Sequence, residues 1–294
     1  EMKNKILLFS ILLCIAIPVF SSTENKTTVG ISWRNDTSSA AYKRIEGYIE
    51  EAGVEVVLLD KTTTSDLCYY KDGTISDEYL QYDFSLNEEA VDIIKNTDKI
   101  NAPEGIDDVD LIVFTGGEDI SPFFYESDYL SDDPIYNPDR DASDFLTLRL
   151  ADEMGIPVLG ICRGMQLLAV YSGASLIIDL PEYFLDKGQY GYEHRSEDGG
   201  YTFHSISIVG DSFLSSLSLH CVASSHHQAL DASSMGRVKP LAYKGEIVEA
   251  MEIPFSAPAF GIQFHPEYYY DYKDSVEWIE SLALLKGFLS SIDL

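Results

Sequence analysis

Short apolar runs alternate with segments of helical period along the first half of the chain. Residues 28–33 have the length and β-branched content of a buried strand. Residues 40–52 repeat apolar positions at helical spacing, with Ser38 or Ser39 placed to cap the start and Gly53 to end the helix. Residues 54–59 form a second strand, and this β-α-β opening predicts a parallel sheet. Residues 60–108 are irregular and read as an insertion with one helix over 88–95. A third strand spans 109–114 and ends in Thr115-Gly116-Gly117, followed by a polar loop over 118–138 and a helix over 142–154. The apolar run 156–159 is a fourth strand, and 173–178 a further one.

The second half is richer in strand-like pieces, at 204–209, 219–223, 247–253 and 260–264, before a last helix over 273–289. Strands alternating with helices and then a β-rich return predict a three-layer α/β fold with a mostly parallel central sheet. No repeat or low-complexity linker divides residues 23–294, so they are expected to form a single domain.

The first 22 residues have a different pattern. Lys3 and Lys5 precede an apolar stretch over 6–20, interrupted only by Ser10, and Val19-Phe20-Ser21 offers a cleavage site after Ser21 or Ser22. This is the layout of a secretory signal peptide, too short to favour a membrane span. The expectation is an exported protein, periplasmic or secreted. Lipid anchoring at Cys14 is not expected, because Leu13 and Ile15 are bulky where a lipoprotein signal has small residues. No later apolar run is long enough to span a bilayer. The processed chain would keep Cys68, Cys162 and Cys221, an odd number that leaves at least one thiol free or pairs chains. Whether Cys68 and Cys221 form a disulfide stays open.

Composition narrows the partners. With 20 Lys and Arg against 49 Asp and Glu, the net charge is −29. Such a surface repels nucleic-acid phosphates and anionic lipid, so neither is an expected partner. The acidic residues are dispersed rather than gathered in a tail, as on a solvated surface.

The chemistry concentrates at Gly160-Ile161-Cys162-Arg163-Gly164-Met165-Gln166, between the fourth strand and a helix. A cysteine at a strand-to-helix turn flanked by small residues has the geometry of a nucleophile elbow, and the helix N-terminus favours its thiolate. A lone buried cysteine is more often a small core residue, but two other segments complete a reactive set. Gly261-Ile262-Gln263-Phe264-His265-Pro266-Glu267 brings His265 to the end of a strand as a base, with Glu267 two residues on to orient it. The backbone N–H groups of Arg163 and Gly117 are candidates to hold an oxyanion.

The segments G-I-C-R-G-M-Q, F-T-G-G-E-D-I-S-P, S-S-H-H-Q and G-I-Q-F-H-P-E, in this order, resemble the class I glutamine amidotransferase superfamily. Within it they resemble the γ-glutamyl hydrolase branch, in particular the γ-glutamyl-γ-aminobutyrate hydrolase-like group, and Asp139-Arg140-Asp141 fits that group too. The resemblance covers roughly residues 29–289. It implies a flavodoxin-like sheet with the cysteine at the carboxyl end of a central strand, Cys162 as nucleophile, His265 as general base and acid, and Glu267 as its orienter. It further implies substrate contacts from Gly116, Gln166, Ser224, His226 and His227, with Gln228 in the same loop. Ala223 stands where the family often has Asn, and Lys244-Gly245 where it has Asp-Gly.

The expected reaction is hydrolysis of a γ-glutamyl amide through a thioester on Cys162, releasing glutamate, with no metal or organic cofactor. The partner is a small γ-glutamyl molecule, and a homo-oligomer stays open. Two alternatives remain: a glutaminase component supplying ammonia to a partner enzyme, and a catalytically dead secreted binding protein.

Overall fold

Four apolar runs in the first half and one in the second supply the parallel part of an eight-stranded sheet. The computed structural model describes residues 26–127 and 135–294, so residues 1–22, expected to be a signal peptide, lie outside the described residues. In chain order the main elements are β1 (Thr28–Ile31), α1 (Ala40–Glu50), β2 (Glu55–Leu58), α2 (Glu88–Asn96), β3 (Leu111–Phe114), α3 (Pro138–Met154), β4 (Val158–Ile161) and α4 (Arg163–Tyr171). They continue with α5 (Leu180–Asp186), β5 (Ser207–Ile208), β6 (Lys239–Lys244), β7 (Ile247–Pro254), β8 (Pro258–Ile262) and α6 (Val276–Ser291).

The sheet order is β2-β1-β3-β4-β8-β7-β6-β5. The first five strands are parallel and the last three pair antiparallel. Numbered among themselves, the parallel strands run 2-1-3-4-5, the flavodoxin-like order, in which ligands bind beyond the carboxyl ends of the strands. Register across the centre pairs Ile112 with Val158 and Ile262 with Ile161, which aligns the ends of β3, β4 and β8.

The alternation of side chains along β3 separates two cores. Ile112 and Phe114 join one with α2, α3 and α4. Leu111 and Val113 join the other with α1 and α6. Both faces of the sheet are therefore covered, giving the three layers that the pattern predicts.

Local chemistry sets the helix ends. Ser39 caps α1 through the N–H of Tyr42, and Asn87 caps α2 through the N–H of Ala90. The helix expected over 142–154 begins earlier, because Asn137 caps it through the N–H of Arg140 and Pro138 fills its first turn. Gly155, at φ 70°, closes it in the left-handed conformation.

Three expectations change in the second half. Residues 173–178 contribute only Leu176–Ile177, which pairs with Ala229–Leu230 outside the main sheet. The run 204–209 divides into Thr202–His204, which forms a ribbon with Val222–Ser224, and β5. Strand β6 and helix α5 were not signalled by the pattern. β6 carries Pro240 at a register shift and lysines at both ends, which mask its strand character. Among the described residues no helix is long and apolar enough to cross a membrane. Cys68, Cys162 and Cys221 are all free thiols, which answers the open question of a disulfide.

Candidate active site

The cysteine sits where the polypeptide turns from β4 into α4. Cys162 has φ 53° and ψ −106°, a left-handed conformation that costs a non-glycine residue about 1–3 kcal/mol and must be held by its surroundings. Its N–H donates to the Ile262 carbonyl at 2.7 Å, and its own carbonyl accepts from the Gln166 N–H at 3.2 Å. Helix α4 lies very close to the sheet. A Cβ on Gly164 would stand 2.0 Å from the Phe114 carbonyl oxygen, so the second glycine of the elbow is required by this approach.

His265 follows β8 and comes to the same edge of the sheet. Its N–H donates to the Ala223 carbonyl at 2.8 Å, so the Ala223 position contributes through its backbone. Its Nδ1 lies 2.6 Å from Glu267 Oε1, which makes Nδ1–H the donor and leaves Nε2 for chemistry. The Tyr201 ring meets the imidazole edge-on at 5.4 Å between centroids. Burial by itself would lower the pKa of His265, but the Glu267 carboxylate and the Cys162 sulfur outweigh it and hold the imidazole well above its ordinary value. Cys162, His265 and Glu267 are all buried.

The loop after β3 closes against this pair. A Cβ on Gly116 would fall 2.8 Å from His265 Cε1 and 3.5 Å from Cys162 Cβ, so Gly116 supports the imidazole rather than facing open space. Gly117 lines the cleft beside Cys162 and Arg163. The Arg163 N–H belongs to the first turn of α4, where backbone donors have no partner within the helix.

Beneath the loop is a buried charge network that the sequence did not signal as functional. Arg140 Nη2 donates to the carbonyls of Thr115 at 2.9 Å and Gly116 at 3.0 Å, and Arg34 Nη1 donates to the same Gly116 carbonyl at 3.1 Å. Arg140 Nη1 pairs with Glu118 at 2.8 Å. The Arg163 side chain turns away from the cleft chemistry and pairs with Asp141 and Asp144, each at 2.5 Å. Burial pushes the Glu118 carboxyl up, but Arg140 and Asn137 bring it down to about 2. Burial and the neighbouring Arg163 lower Arg140 to about 10. The acidic-basic run at 139–141 was the available signal, and it reads equally well as a solvated helix start.

The cleft over Cys162 has a volume of about 950 Å³. Gln166 lines it, with Nε2 donating to the Gln228 carbonyl at 3.0 Å. His226 and His227 line it as well. His227 Nε2 lies 3.0 Å from Asp119 Oδ1, and although burial opposes it, this carboxylate raises the pKa of the ring. Ser224 is fully buried, and its hydroxyl donates to the His194 carbonyl at 2.8 Å. Its neighbour Ser225 lines the cleft instead.

Comparison with known proteins places these segments. The family profile described as Peptidase C26 matches residues 37–267. The glutamine amidotransferase-like protein RP404 of Rickettsia prowazekii is 34% identical over 204 residues, covering 55% of this chain and 72% of that one. The γ-glutamyl-γ-aminobutyrate hydrolase PuuD of Escherichia coli K12 is 30% identical over 186 residues, 58% of this chain and 67% of that protein. Among solved structures, SMU.1228c superposes with a TM-score of 0.51 at 15% identity, over 91% of this chain and 100% of that one, a likeness of fold alone.

Proposed function

Because the chain belongs to the Peptidase C26 family, we propose that it is a cysteine hydrolase of γ-glutamyl amide bonds, with Cys162, His265 and Glu267 as its catalytic residues. The observation that carries this reading is the buried His265–Glu267 pair at 2.6 Å, whose imidazole is held protonated beside the sulfur of an elbow cysteine.

The Cys162 thiolate attacks the γ-carbonyl carbon of the substrate. The N–H groups of Gly117 and Arg163 receive the oxyanion. The C–N bond breaks as the His265 imidazolium gives its proton to the departing amine, leaving a γ-glutamyl thioester. Neutral His265 then takes a proton from water, and the resulting hydroxide attacks the thioester. The C–S bond breaks, glutamate leaves, and the thiolate–imidazolium pair is restored. Arg195 puts a cation on the cleft wall for a substrate carboxylate, while Gln166, His226 and His227 border the same space.

A second reading, a glutaminase that supplies ammonia to a synthetase, starts from the glutamine amidotransferase-like name of the relative RP404. The leader with Lys3, Lys5 and the apolar stretch 6–20 supports export, away from such a synthetase and its ATP, and so favours hydrolysis.

A thiol-reactive glutamine analogue tests the nucleophile. Peptide mass mapping is expected to find Cys162 labelled well before Cys68 and Cys221. Labelling no faster at Cys162 than at the other two would leave a catalytically dead binding protein.

A further inference from the structure

A second cluster of titratable groups lies outside the proposed chemistry. His194, His204 and His226 surround Glu249, and all four are buried. Glu249 Oε1 is 3.0 Å from His194 Nδ1, 3.6 Å from His204 Nε2 and 3.7 Å from His226 Nε2. The rings of His204 and His226 stand 5.1 and 4.9 Å from that of His194.

Proton bookkeeping makes this arrangement unusual. His226 Nδ1 lies 2.8 Å from the Gln228 carbonyl and His204 Nδ1 lies 3.3 Å from the Ser205 carbonyl. A carbonyl only accepts, so each Nδ1 carries the hydrogen, and each neutral ring turns the Nε2 lone pair towards the carboxylate. Lone pair then faces lone pair in a buried space. His194 Nδ1, His204 Nε2, His226 Nε2 and both Glu249 oxygens lack a hydrogen-bond partner. Buried polar atoms left in this state are destabilising. A cation held by His194, His204 and Glu249 would satisfy a donor atom on each of the three.

The dimensions suit a small transition metal. Bonds of about 2.0–2.2 Å to nitrogen and oxygen in a tetrahedron put the ligand atoms about 3.3 Å apart. The oxygen–nitrogen distances from Glu249 to His194 and His204, 3.0 and 3.6 Å, bracket that spacing. The donor atoms of His194, His204 and Glu249 all fall within 4.8 Å of one another. Imidazoles whose other nitrogen donates to a backbone carbonyl are oriented as metal ligands usually are.

We propose that His194, His204 and Glu249 form a buried structural site for a divalent metal ion of the zinc type, with His226 beside it but outside the set of mutually close donors. The expectation of no metal came from the cysteine chemistry, and this cluster is separate from that chemistry. The site ties the segment carrying His194 and His204 to Glu249 on β7. Its reach to the cleft is short: the Gln228 carbonyl that receives His226 Nδ1–H also receives Gln166 Nε2. The ion therefore holds the Glu249 carboxylate, which lies 3.7 Å from His226 Nε2 in the 222–228 loop.

The full chain, freed of metal by a chelator, would be titrated with Zn2+ and separately with Co2+. The expected result is one tightly held Zn2+ per chain by elemental analysis, a higher thermal midpoint on adding Zn2+, and a tetrahedral Co2+ absorption spectrum without a thiolate charge-transfer band. That last feature separates this site from Cys162 and His265. His204→Asn and Glu249→Gln are expected to weaken Zn2+ binding at least tenfold, by analogy with the losses seen at metal-ligand shells. No bound Zn2+ in a folded, chelator-treated chain would overturn the proposal. So would a Co2+ spectrum dominated by thiolate charge transfer. Should the variants not fold, the Co2+ spectrum of the unaltered chain decides alone.

Discussion

Cys162 occupies a backbone conformation that few side chains adopt, and its sequence context explains how it is kept there. Gly164 allows α4 to approach Phe114, and the Ile262 carbonyl anchors the Cys162 N–H. His265 and Glu267 reach the same point from β8, so the three residues named from their motifs converge in space. Those residues were legible because each stands in a short motif tied to a strand end. Glu267 has a specific electrostatic task, which gives the first prediction. His265 is held protonated above the ordinary imidazole range largely by Glu267 and Cys162, against the effect of burial. In the proposed mechanism the imidazolium is the acid, and it is lost when pH rises through that raised pKa. Glu267→Gln should therefore move the alkaline limb of the kcat/KM profile to lower pH. It should also reduce kcat by roughly 10²-fold or more, as loss of an orienting carboxylate does in related triads. An alkaline limb unchanged in position would show that Glu267 does not set the protonation of His265.

Among the elements, α3 carries more than its pattern suggested. The expected helix began at residue 142, yet Arg140 and Asp141 are inside it and buried. Charged residues at a helix start ordinarily face solvent, and no period in the sequence tells that these find partners in Arg163 and Glu118. The consequence is mechanical. α3 holds the Thr115 and Gly116 carbonyls through Arg140, while Asp141 and Asp144 fix Arg163 at the first turn of α4. The loop after β3 and the first turn of α4, from which the proposed oxyanion donors come, are thus tied to one helix. Asp144→Asn removes a carboxylate that lies 2.5 Å from Arg163 and 3.4 Å from Arg140, leaving buried positive charge undercompensated. The variant should lose about 3–5 kcal/mol in urea unfolding, the usual cost of breaking a buried pair. A loss below about 1 kcal/mol, typical of exposed pairs, would mean that solvent or another group takes over the charge.

For the molecule as a whole, the alternation of strand and helix was enough to reach a three-layer α/β fold with a largely parallel sheet. The two-sided cores and the 2-1-3-4-5 order of parallel strands agree with it. The antiparallel return was less legible. β6 hides behind Pro240 and its lysines, and the small ribbons around Thr202–His204 and Leu176–Ile177 are set by long-range contacts that no local window contains. The first ribbon carries His204 to within 3.6 Å of Glu249 on β7, a long-range placement that hides the second cluster in the chain. The resulting architecture places one cleft at the carboxyl ends of β3 and β4, with the elbow cysteine on its wall and a mixed-charge rim. The proposed activity of this cleft is hydrolysis of γ-glutamyl amides through Cys162. The most direct test is glutamate release by the purified chain from a panel of γ-glutamyl amines, γ-linked peptides and free glutamine, with Cys162→Ala alongside. Release is expected from at least one γ-glutamyl conjugate at a rate well above that from glutamine, with a loss of about 10³-fold or more in Cys162→Ala. Release from glutamine alone, or release that survives in Cys162→Ala, would contradict the proposed activity.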